Sequence, residues 1–311
     1  MILTLTVNPA LDIYSRVQNI QPGEKLRCEQ PKLDPGGGGI NVSRVIKRLG
    51  GSSVAIYPKG GHTGSVFQDL LQQEDIQQDP VSIQNALREN FAVTDTATGE
   101  LYRFGFPGPE LSEVDIQNIH KRLDQYERAD FLVASGSLPP GVPNNFYSLV
   151  AKKARELNIK FILDTSGKAY EGILEEGAYL LKPNQNELEA LVGGRKATNR
   201  EEQKDLLREV VINYPIEIVI LSLGGDGALL ATKDEVRHFP APQVEQISSI
   251  GAGDSMVAGV VHGLFQDYSL DQAVLFGLAC GSATLKSPGT ELLKKKDAEE
   301  LYSRLQQQIK I

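Results

Sequence analysis

The sequence predicts an α/β fold in which a doubly wound sheet carries helices on both faces. Short, nearly continuous apolar runs alternate with segments of helical length along most of the 311 residues, the pattern of a mainly parallel sheet. The chain also has no repeat period, low-complexity tract or clear linker. We therefore predict a single domain over residues 1–311, with a small extra sheet where the alternation is interrupted.

The first third of the chain contains the start of the alternation and its first interruption. We predict a strand in MILTLTV, a helix beginning near Ile40, a strand in SSVAIYPKG and a helix in GSVFQDLLQQE. Residues 12–33 are instead polar and alternating, and KLRCEQPKL is strand-like. Such mixed polarity is typical of exposed sheet rather than of core strands.

A second interruption is predicted as a hairpin. In NFAVTDTATGELYRFGF, residues alternate on both sides of a Thr98–Gly99 turn, which places Tyr102, Phe104 and Phe106 on one face. We expect residues near 12–33 and 88–107 to form a small exposed sheet. Because an exposed apolar face needs a cover, this sheet should act as a lid over a ligand, pack on a second subunit, or do both.

The rest of the chain returns to alternation. We predict strands in ADFLVASG, IKFILDTSG, AYLLKPN and IEIVILSLG. The predicted helices lie in NNFYSLVAKKARELN, NELEALVG and REEQKDLLREVVINY and, after Gly251, in SMVAGVVHGLFQD, SLDQAVLFGLACGSATL and AEELYSRLQQQIK.

Composition excludes several classes of protein. Lys and Arg total 32 against 40 Asp and Glu, a formal charge of −8, which argues against nucleic-acid and acidic-membrane partners. Any anionic ligand must then meet a local basic cluster. Cys28 and Cys280 have no metal-ligand spacing and suggest no disulfide framework. Without a signal-like start or an apolar run of membrane length, we expect a cytoplasmic protein.

The most informative segment is SSIGAGDSMVAGVV, residues 248–261. Its small residues can bring successive N–H groups together at the start of an apolar helix, which favours bound negative charge. A carboxylate at Asp254 would compete with a bound anion, but it suits a base that deprotonates an attacking hydroxyl during phosphoryl transfer. The alternative is that Asp254 only caps its helix.

Three further segments are weaker taken singly. LKPNQNELEALVG places Lys182, Asn184 and Glu187 where a strand ends and a helix starts, suited to phosphate and hydrated Mg²⁺, although a solvated helix start is the alternative. SLGGDGALL can be a plain hairpin turn, and it matches neither a P-loop nor a dinucleotide motif. In DPGGGGINVSR, four glycines precede a helix, which suggests an anion or a polar ligand.

Taken in order, these segments resemble the ribokinase-like sugar kinases, specifically the phosphofructokinase B branch. The resemblance covers nearly the whole chain, from TVNPALD to SPGT, and rests on GGGGINVSR, ASGSLPPGV, KPNQNE, SLGGDGA and IGAGDSMVAGV. It implies a ribokinase-like three-layer sandwich with a small β-sheet lid, an ATP-dependent kinase using Mg²⁺, and pairing of two chains through the lid sheet.

The resemblance also implies roles for residues of the C-terminal half. Asp254 would be the catalytic base, and Gly251, Ala252 and Gly253 the anion hole for the transferred phosphoryl group. The nucleotide side would comprise Lys182, Asn184, Glu187, Ser222, Gly224 and Gly227. Glu187 would organise Mg²⁺ through water, and a monovalent cation such as K⁺ would be held by carbonyls of Ser248, Ile250 and Gly289.

On the acceptor side, the resemblance makes Asp12 a ligand of the sugar hydroxyls, with Gly37 and Asn41 beside it. A phosphorylated sugar further needs cations and hydroxyl groups. The candidates are Lys25, Arg27, Arg88, Arg103 and Ser137, with Lys25 able to reach a neighbour's site in a dimer.

The glycine run narrows the choice of sugar substrate. Related 1-phosphofructokinases and tagatose-6-phosphate kinases typically carry lysine at the position of Gly38. The GGGG form, together with GEKLRC, PGGGGINV, YRF and SGSLPPGV, most resembles the ATP-dependent 6-phosphofructokinases of the branch. This resemblance implies transfer to O1 of fructose 6-phosphate. The other two sugar kinases stay open as alternatives, as does a non-catalytic sugar-phosphate or nucleotide sensor. Glu291 departs from the arginine expected there, which affects the detail of the nucleotide or cation site.

Overall fold

A nine-stranded sheet forms the centre of residues 1–309, which the computed structural model describes. Its strand order is β13-β12-β11-β10-β9-β8-β1-β4-β5. The seven strands from β11 to β5 run parallel, and β12 and β13 add an antiparallel edge. The bounds are β1 Ile2–Leu5, β4 Ser53–Lys59, β5 Gln77–Ser82, β8 Phe131–Ser135, β9 Lys160–Asp164, β10 Ala178–Leu181, β11 Ile216–Ser222, β12 Ala228–Ala231 and β13 Val236–Phe239.

Helices cover both faces of this sheet. One layer contains α1 Gly38–Arg48, α2 Gly61–Gln73, α8 Ala252–Phe265, α9 Leu270–Leu285 and α10 Lys295–Ile309. The other contains α3 Glu113–Leu123, α4 Phe146–Glu156, α5 Ile173–Glu176, α6 Gln185–Leu191 and α7 Arg200–Asn213. Along β1, Ile2 packs toward the first layer, whereas Leu3 and Leu5 pack toward the second. Burial on both faces explains the continuous apolar runs.

The interruptions in the alternation form a second sheet, of four strands in the described residues, with the order β3-β2-β6-β7. Its strands are β2 Ala10–Val17, β3 Lys32–Gly36, β6 Arg88–Asp95 and β7 Leu101–Phe104. The predicted hairpin is confirmed, because β6 and β7 pair antiparallel with Thr94 opposite Leu101. We call this unit the small sheet.

Sequence reasoning was wrong about one strand and missed several elements. KLRCEQPKL forms no strand over residues 25–31, and β3 begins only at Lys32. Pro31 cannot donate to a strand ladder, so regular pairing starts after it. Strand β5, helix α3 and strand β13 were not foreseen because their sequences are polar; α3 buries only Ile119 and Leu123.

Two expectations concern the chain as a whole. No helix within residues 1–309 has the length and apolar character to cross a membrane. The predicted last helix and the predicted domain both extend beyond Ile309, and their final residues, 310 and 311, lie outside the described residues.

Candidate active site

A cavity of about 430 Å³ lies between the small sheet and one edge of the central sheet. Its lining includes eight of the site residues predicted from the sequence, from both halves of the chain. They are Asp12, Gly37, Asn41, Arg88, Arg103, Ile250, Gly251 and Asp254. Parallel strands bring their carboxyl ends to one edge, where α/β proteins place their ligands.

Asp254 faces this cavity from the first turn of α8. The N-cap of α8 is Gly251, in a left-handed conformation with φ of 74°, and no side chain caps this end. Asp254 Oδ2 instead accepts a hydrogen bond from Asn41 Nδ2 of α1, at 2.8 Å. The helix-capping alternative therefore does not describe Asp254.

The surroundings of Asp254 favour proton transfer near neutral pH. Burial, reinforced by the carboxylate of Asp164, raises the pKa of Asp254 to about 6, against the opposing effects of Asn41 and Lys182. A carboxyl with such a pKa is mostly ionised at pH 7 and is a stronger base than an ordinary aspartate. Backbone N–H groups of the first helical turn lie beside it, of which Ala252 N donates to the carbonyl of Ser249 at 3.4 Å.

Asp12 enters the cavity from the small sheet. Asn90 lies opposite it in the parallel pairing of β2 and β6, and Asn90 Nδ2 donates to Asp12 Oδ1 at 3.0 Å. A Cβ atom on Gly36 would lie only 1.9 Å from Asp12 Oδ2. The first glycine of the run thus makes room for this carboxylate, whose pKa is raised by burial. Sequence reasoning missed Asn90, which only the strand register places here.

Gly38 has a steric reason of its own. A Cβ atom on Gly38 would lie 2.1 Å from Ser135 Oγ and 2.8 Å from the carbonyl carbon of Ser135. The start of α1 therefore packs directly on the end of β8. A lysine at position 38 would require the end of that strand to move.

Two of the four predicted cations line the cavity. Arg88 is anchored by hydrogen bonds from its guanidinium to the carbonyls of Asn8 (3.0 Å) and Phe106 (3.2 Å). Arg103 projects from β7. Lys25 and Arg27 are exposed between β2 and β3, outside the lining formed by the described residues of this single chain. Ser137 is also outside it and accepts a hydrogen bond from Asn8 Nδ2 at 3.1 Å.

Lys182 directly follows β10 of the central sheet and lies on the side of Asp254 away from the small sheet. Its ammonium is buried and lies 3.1 Å from Asp164 Oδ1. Burial opposes its charge, but the carboxylates of Asp164, Glu187 and Asp254 together outweigh burial and raise the pKa of Lys182. A Cβ atom on Gly253 would lie 3.7 Å from Lys182 Nζ, so a fixed positive charge borders the first turn of α8.

The neighbouring polar residues also have structural roles. Asn184 and Glu187 form a reciprocal capping box at α6, with Asn184 N donating to Glu187 Oε2 at 2.8 Å and Glu187 N donating to Asn184 Oδ1 at 3.0 Å. The hydrogen bonds between Asn184 and Glu187 are therefore those of a helix start, which is the alternative given for this segment. Burial raises the pKa of Glu187.

The SLGGDGA segment is the turn of the β11–β12 hairpin, as its plain alternative predicts. Ser222 N donates to the carbonyl of Pro183 at 2.9 Å, which joins this turn to the KPNQNE segment. Gly227 has φ of 95°, and a Cβ atom there would lie 1.9 Å from Phe239 O, so its glycine is sterically required. Gly224 has open space around its Cβ position, but its φ of 60° lies in the left-handed region that favours glycine.

The three residues expected at a monovalent cation lie together. Ser248 Oγ donates to the carbonyl of Gly289 at 2.8 Å, and Ile250 N donates to Ser248 Oγ at 3.3 Å. Ile250 directly precedes Gly251, so this cluster adjoins the start of α8.

A buried charge cluster behind the glycine run was not foreseen. Arg44 of α1 is 2% exposed and donates to Asp34 Oδ1 (3.1 Å), to the Pro35 carbonyl (3.0 Å) and to Glu74 Oε1 (2.6 Å). The sequence contained a signal for this cluster, because Arg44 is the one charged residue in GINVSRVI, residues 39–46. All of these residues are buried in α1. A buried charge in such a place must be paired.

The chain is similar over nearly its whole length to known phosphofructokinases. The chain is 41% identical over 302 residues to ATP-dependent 6-phosphofructokinase isozyme 2 of Mycobacterium tuberculosis, covering 97% of this chain and 88% of that protein. It is 39% identical over 305 residues to the Escherichia coli isozyme 2, covering 98% of each. A Bacillus subtilis 1-phosphofructokinase is 31% identical over 311 residues, covering 100% and 99%.

Solved structures extend the similarity to the fold. E. coli phosphofructokinase-2 in complex with substrates and products has a TM-score of 0.93 at 39% identity, covering 98% of this chain and 99% of that one. The same enzyme in complex with potassium has a TM-score of 0.94 at 39% identity, covering 98% of each. The predicted fold class is confirmed. Residues 6–297 match the pfkB family carbohydrate kinases, and the chain belongs to that family.

Proposed function

We propose that the protein is a 6-phosphofructokinase that transfers the γ-phosphoryl group of ATP to O1 of fructose 6-phosphate. The observation that carries this proposal is the position of Asp254. Its carboxylate shares one cavity with the sugar-binding candidates Asp12 and Asn41 and with the cations Arg88 and Arg103. The relatives named 6-phosphofructokinase are also more similar to the chain than the 1-phosphofructokinase.

The chemical step follows from the residues around the cavity. Asp12 and Asn41 hold sugar hydroxyls, and the amide of Asn41 keeps the carboxylate of Asp254 oriented. Asp254 accepts the proton of the attacking hydroxyl as the new O–P bond forms, while the bond between the γ-phosphorus and the β,γ-bridging oxygen of ATP breaks and ADP leaves. The N–H groups of Gly251, Ala252 and Gly253 and the ammonium of Lys182 stabilise the negative charge on the transferred group.

The nucleotide side is assigned to Lys182, Asn184, Glu187, Ser222, Gly224 and Gly227. Mg²⁺ usually keeps several waters and takes one or two carboxylates besides substrate phosphates. Glu187 fits this requirement, because its cap uses Oε2 only and leaves the other carboxylate oxygen for a metal-bound water. Mg²⁺ there would neutralise phosphate charge.

A monovalent cation would be held by the carbonyls of Ser248, Ile250 and Gly289. The hydrogen bonds among these three residues bring their main chains together next to the anion hole. The structure of the E. coli relative in complex with potassium supports the choice of a monovalent cation.

The identity of the sugar is tested by comparing kcat/KM for fructose 6-phosphate, tagatose 6-phosphate and fructose 1-phosphate. We expect fructose 6-phosphate to be preferred by about tenfold or more, the scale on which one misplaced contact discriminates, to the phosphate in fructose 1-phosphate and to the C4 hydroxyl in tagatose 6-phosphate. A preference for either of the other sugars would contradict the interpretation of Gly38. Absence of ADP release with all three would favour the sensor.

The small sheet is proposed to join two chains into a homodimer and to close over the sugar. Leu33, Ile13, Phe91 and Phe104 follow one another across the four strands on the face opposite Asp12, and Phe104 is 53% exposed. An apolar patch of this kind is typical of an interface, and a second copy of the same face satisfies it. The exposed Lys25 could then reach the neighbouring site.

We expect the wild-type protein to sediment as a dimer and Phe104→Asp to sediment as a monomer, because a carboxylate in the interface would be desolvated. Ile212→Asp is the matched control. Ile212 is 63% exposed on α7, away from the small sheet, and its variant should stay dimeric. A monomeric wild-type protein at assay concentration would contradict the proposal.

A further inference from the structure

The small sheet is joined to the C-terminal loop by a buried polar contact. Thr290 Oγ1 donates to Asp34 Oδ2 at 2.6 Å, and both residues are 5% exposed. Asp34 belongs to β3 of the small sheet, whereas Thr290 follows α9 and lines the cavity. We call this contact the latch.

The second carboxylate oxygen of Asp34, Oδ1, holds this side chain in place. Arg44 Nη2 donates to Asp34 Oδ1 at 3.1 Å, and Arg44 is itself fixed by two hydrogen bonds from Nε to the carboxylate of Glu74, at 3.0 and 2.9 Å. A buried carboxylate bonded at both oxygens has little freedom to reorient. Thr290 therefore meets an acceptor whose position is set by α1 and α2.

Asp34 and Thr290 are each connected to a part of the active site. In the register of β2 and β3, Asp34 is opposite Asp12, so both project from the same face of the small sheet. On the loop side, Thr290 follows Gly289, whose carbonyl accepts the hydrogen bond from Ser248 Oγ. Ser248 Oγ in turn accepts from Ile250 N, next to Gly251 of the anion hole.

A second contact reinforces this connection. Tyr14 of β2 packs against Gly289 so closely that a Cβ atom there would lie 2.8 Å from its ring. The small sheet thus contacts Gly289 and Thr290 together, and a movement of the sheet displaces the loop that supports the start of α8.

We infer that Thr290 and Asp34 are positioning residues that align the sugar site on the small sheet with the anion hole. The inference rests on the proposed function. Without the latch, the sugar still binds Arg88 and Arg103, but its attacking hydroxyl and the anion hole are no longer held in one geometry. Such misalignment lowers kcat more than it changes ground-state binding.

The test compares Thr290→Val, which removes the hydroxyl at nearly constant volume, with Thr290→Ser, which keeps it. We expect Thr290→Val to lower kcat about tenfold with KM for ATP within about twofold of wild type, the scale of one hydrogen bond to a buried charge. Thr290→Ser should recover most of the loss. A Thr290→Val enzyme with wild-type kcat would overturn the inference.

The matched control is Thr4→Val. Thr4 Oγ1 is buried and lies 2.7 Å from Ser43 Oγ, between β1 and α1 and outside the cavity lining of the described residues. The Thr4→Val variant loses a hydroxyl contact of similar length. It should therefore have a lower thermal unfolding temperature than wild type but an unchanged kcat. An equal loss of kcat in Thr4→Val would reduce the latch to a contribution to stability.

Two further measurements separate this inference from the proposed function. On an Asp34→Ala background, which has no side-chain acceptor for Thr290, Thr290→Val should lower kcat little further, because both changes break one contact; independent additive losses would contradict the latch. Amide hydrogen exchange of residues 287–291 should be faster in Thr290→Val even without substrate. If wild-type enzyme does not phosphorylate fructose 6-phosphate, the proposed function fails, and the exchange result alone decides the latch.

Discussion

Asp254→Asn is expected to lower kcat by a factor of about 10²–10⁴ while fructose 6-phosphate still binds, the range typical for loss of a general base. Asparagine keeps the shape of the side chain and an oxygen for the hydrogen bond from Asn41. It cannot accept the proton of the attacking hydroxyl. Steady-state kinetics with sugar and ATP varied separately measures the effect.

The pH profile provides a second readout of the same group. Because the pKa of Asp254 in the free enzyme is raised to about 6, wild-type kcat/KM for fructose 6-phosphate should fall as the pH is lowered through that value and the base becomes protonated. The residual activity of Asp254→Asn should lack this dependence. Asp267→Asn, the same change in the left-handed residue shortly after α8, serves as the control and should retain full activity. Near-normal turnover in Asp254→Asn would refute the assignment.

Arg103→Ala is expected to raise KM for fructose 6-phosphate by roughly 10- to 100-fold, since a charge-assisted hydrogen bond to phosphate is worth about 1.5–3 kcal/mol. KM for ATP should change much less, because Arg103 projects from β7 whereas the nucleotide candidates lie beyond Asp254. Arg128→Ala removes an exposed arginine outside the cavity lining of residues 1–309 and is the control.

Turnover of unphosphorylated fructose sharpens this experiment. If Arg103 meets the sugar phosphate, its loss should have little effect on kcat/KM for fructose, which has no phosphate to contact. Equal increases in KM for sugar and ATP would mean that the sugar phosphate has been placed wrongly.

The features predicted correctly from sequence are those decided by neighbours in the chain. The Thr98–Gly99 hairpin depends on a turn with alternating residues on both sides, and its pairing is local. Asp254 at the start of α8 depends likewise on the glycines directly before it and the apolar helix after it. Such patterns keep their meaning wherever the segment lies in the fold.

The missed features depend on contacts between distant segments. Asn90 meets Asp12 only because β2 and β6 pair in one particular register, across 78 positions of sequence. The Thr290–Asp34 contact spans 256 positions. Polar residues at such positions look like ordinary surface residues until the strands are paired.

The sequence by itself determined the fold class, the order of most elements, the location of the hairpin and the candidacy of Asp254, because these follow from hydrophobic periodicity and local turn chemistry. Only the tertiary structure decided which cations share the cavity with Asp254, why Gly38 has no side chain, and how Asp34 and Arg44 are paired. These are questions of distance and burial. They are answered when packing brings remote segments together and most buried polar groups find a partner.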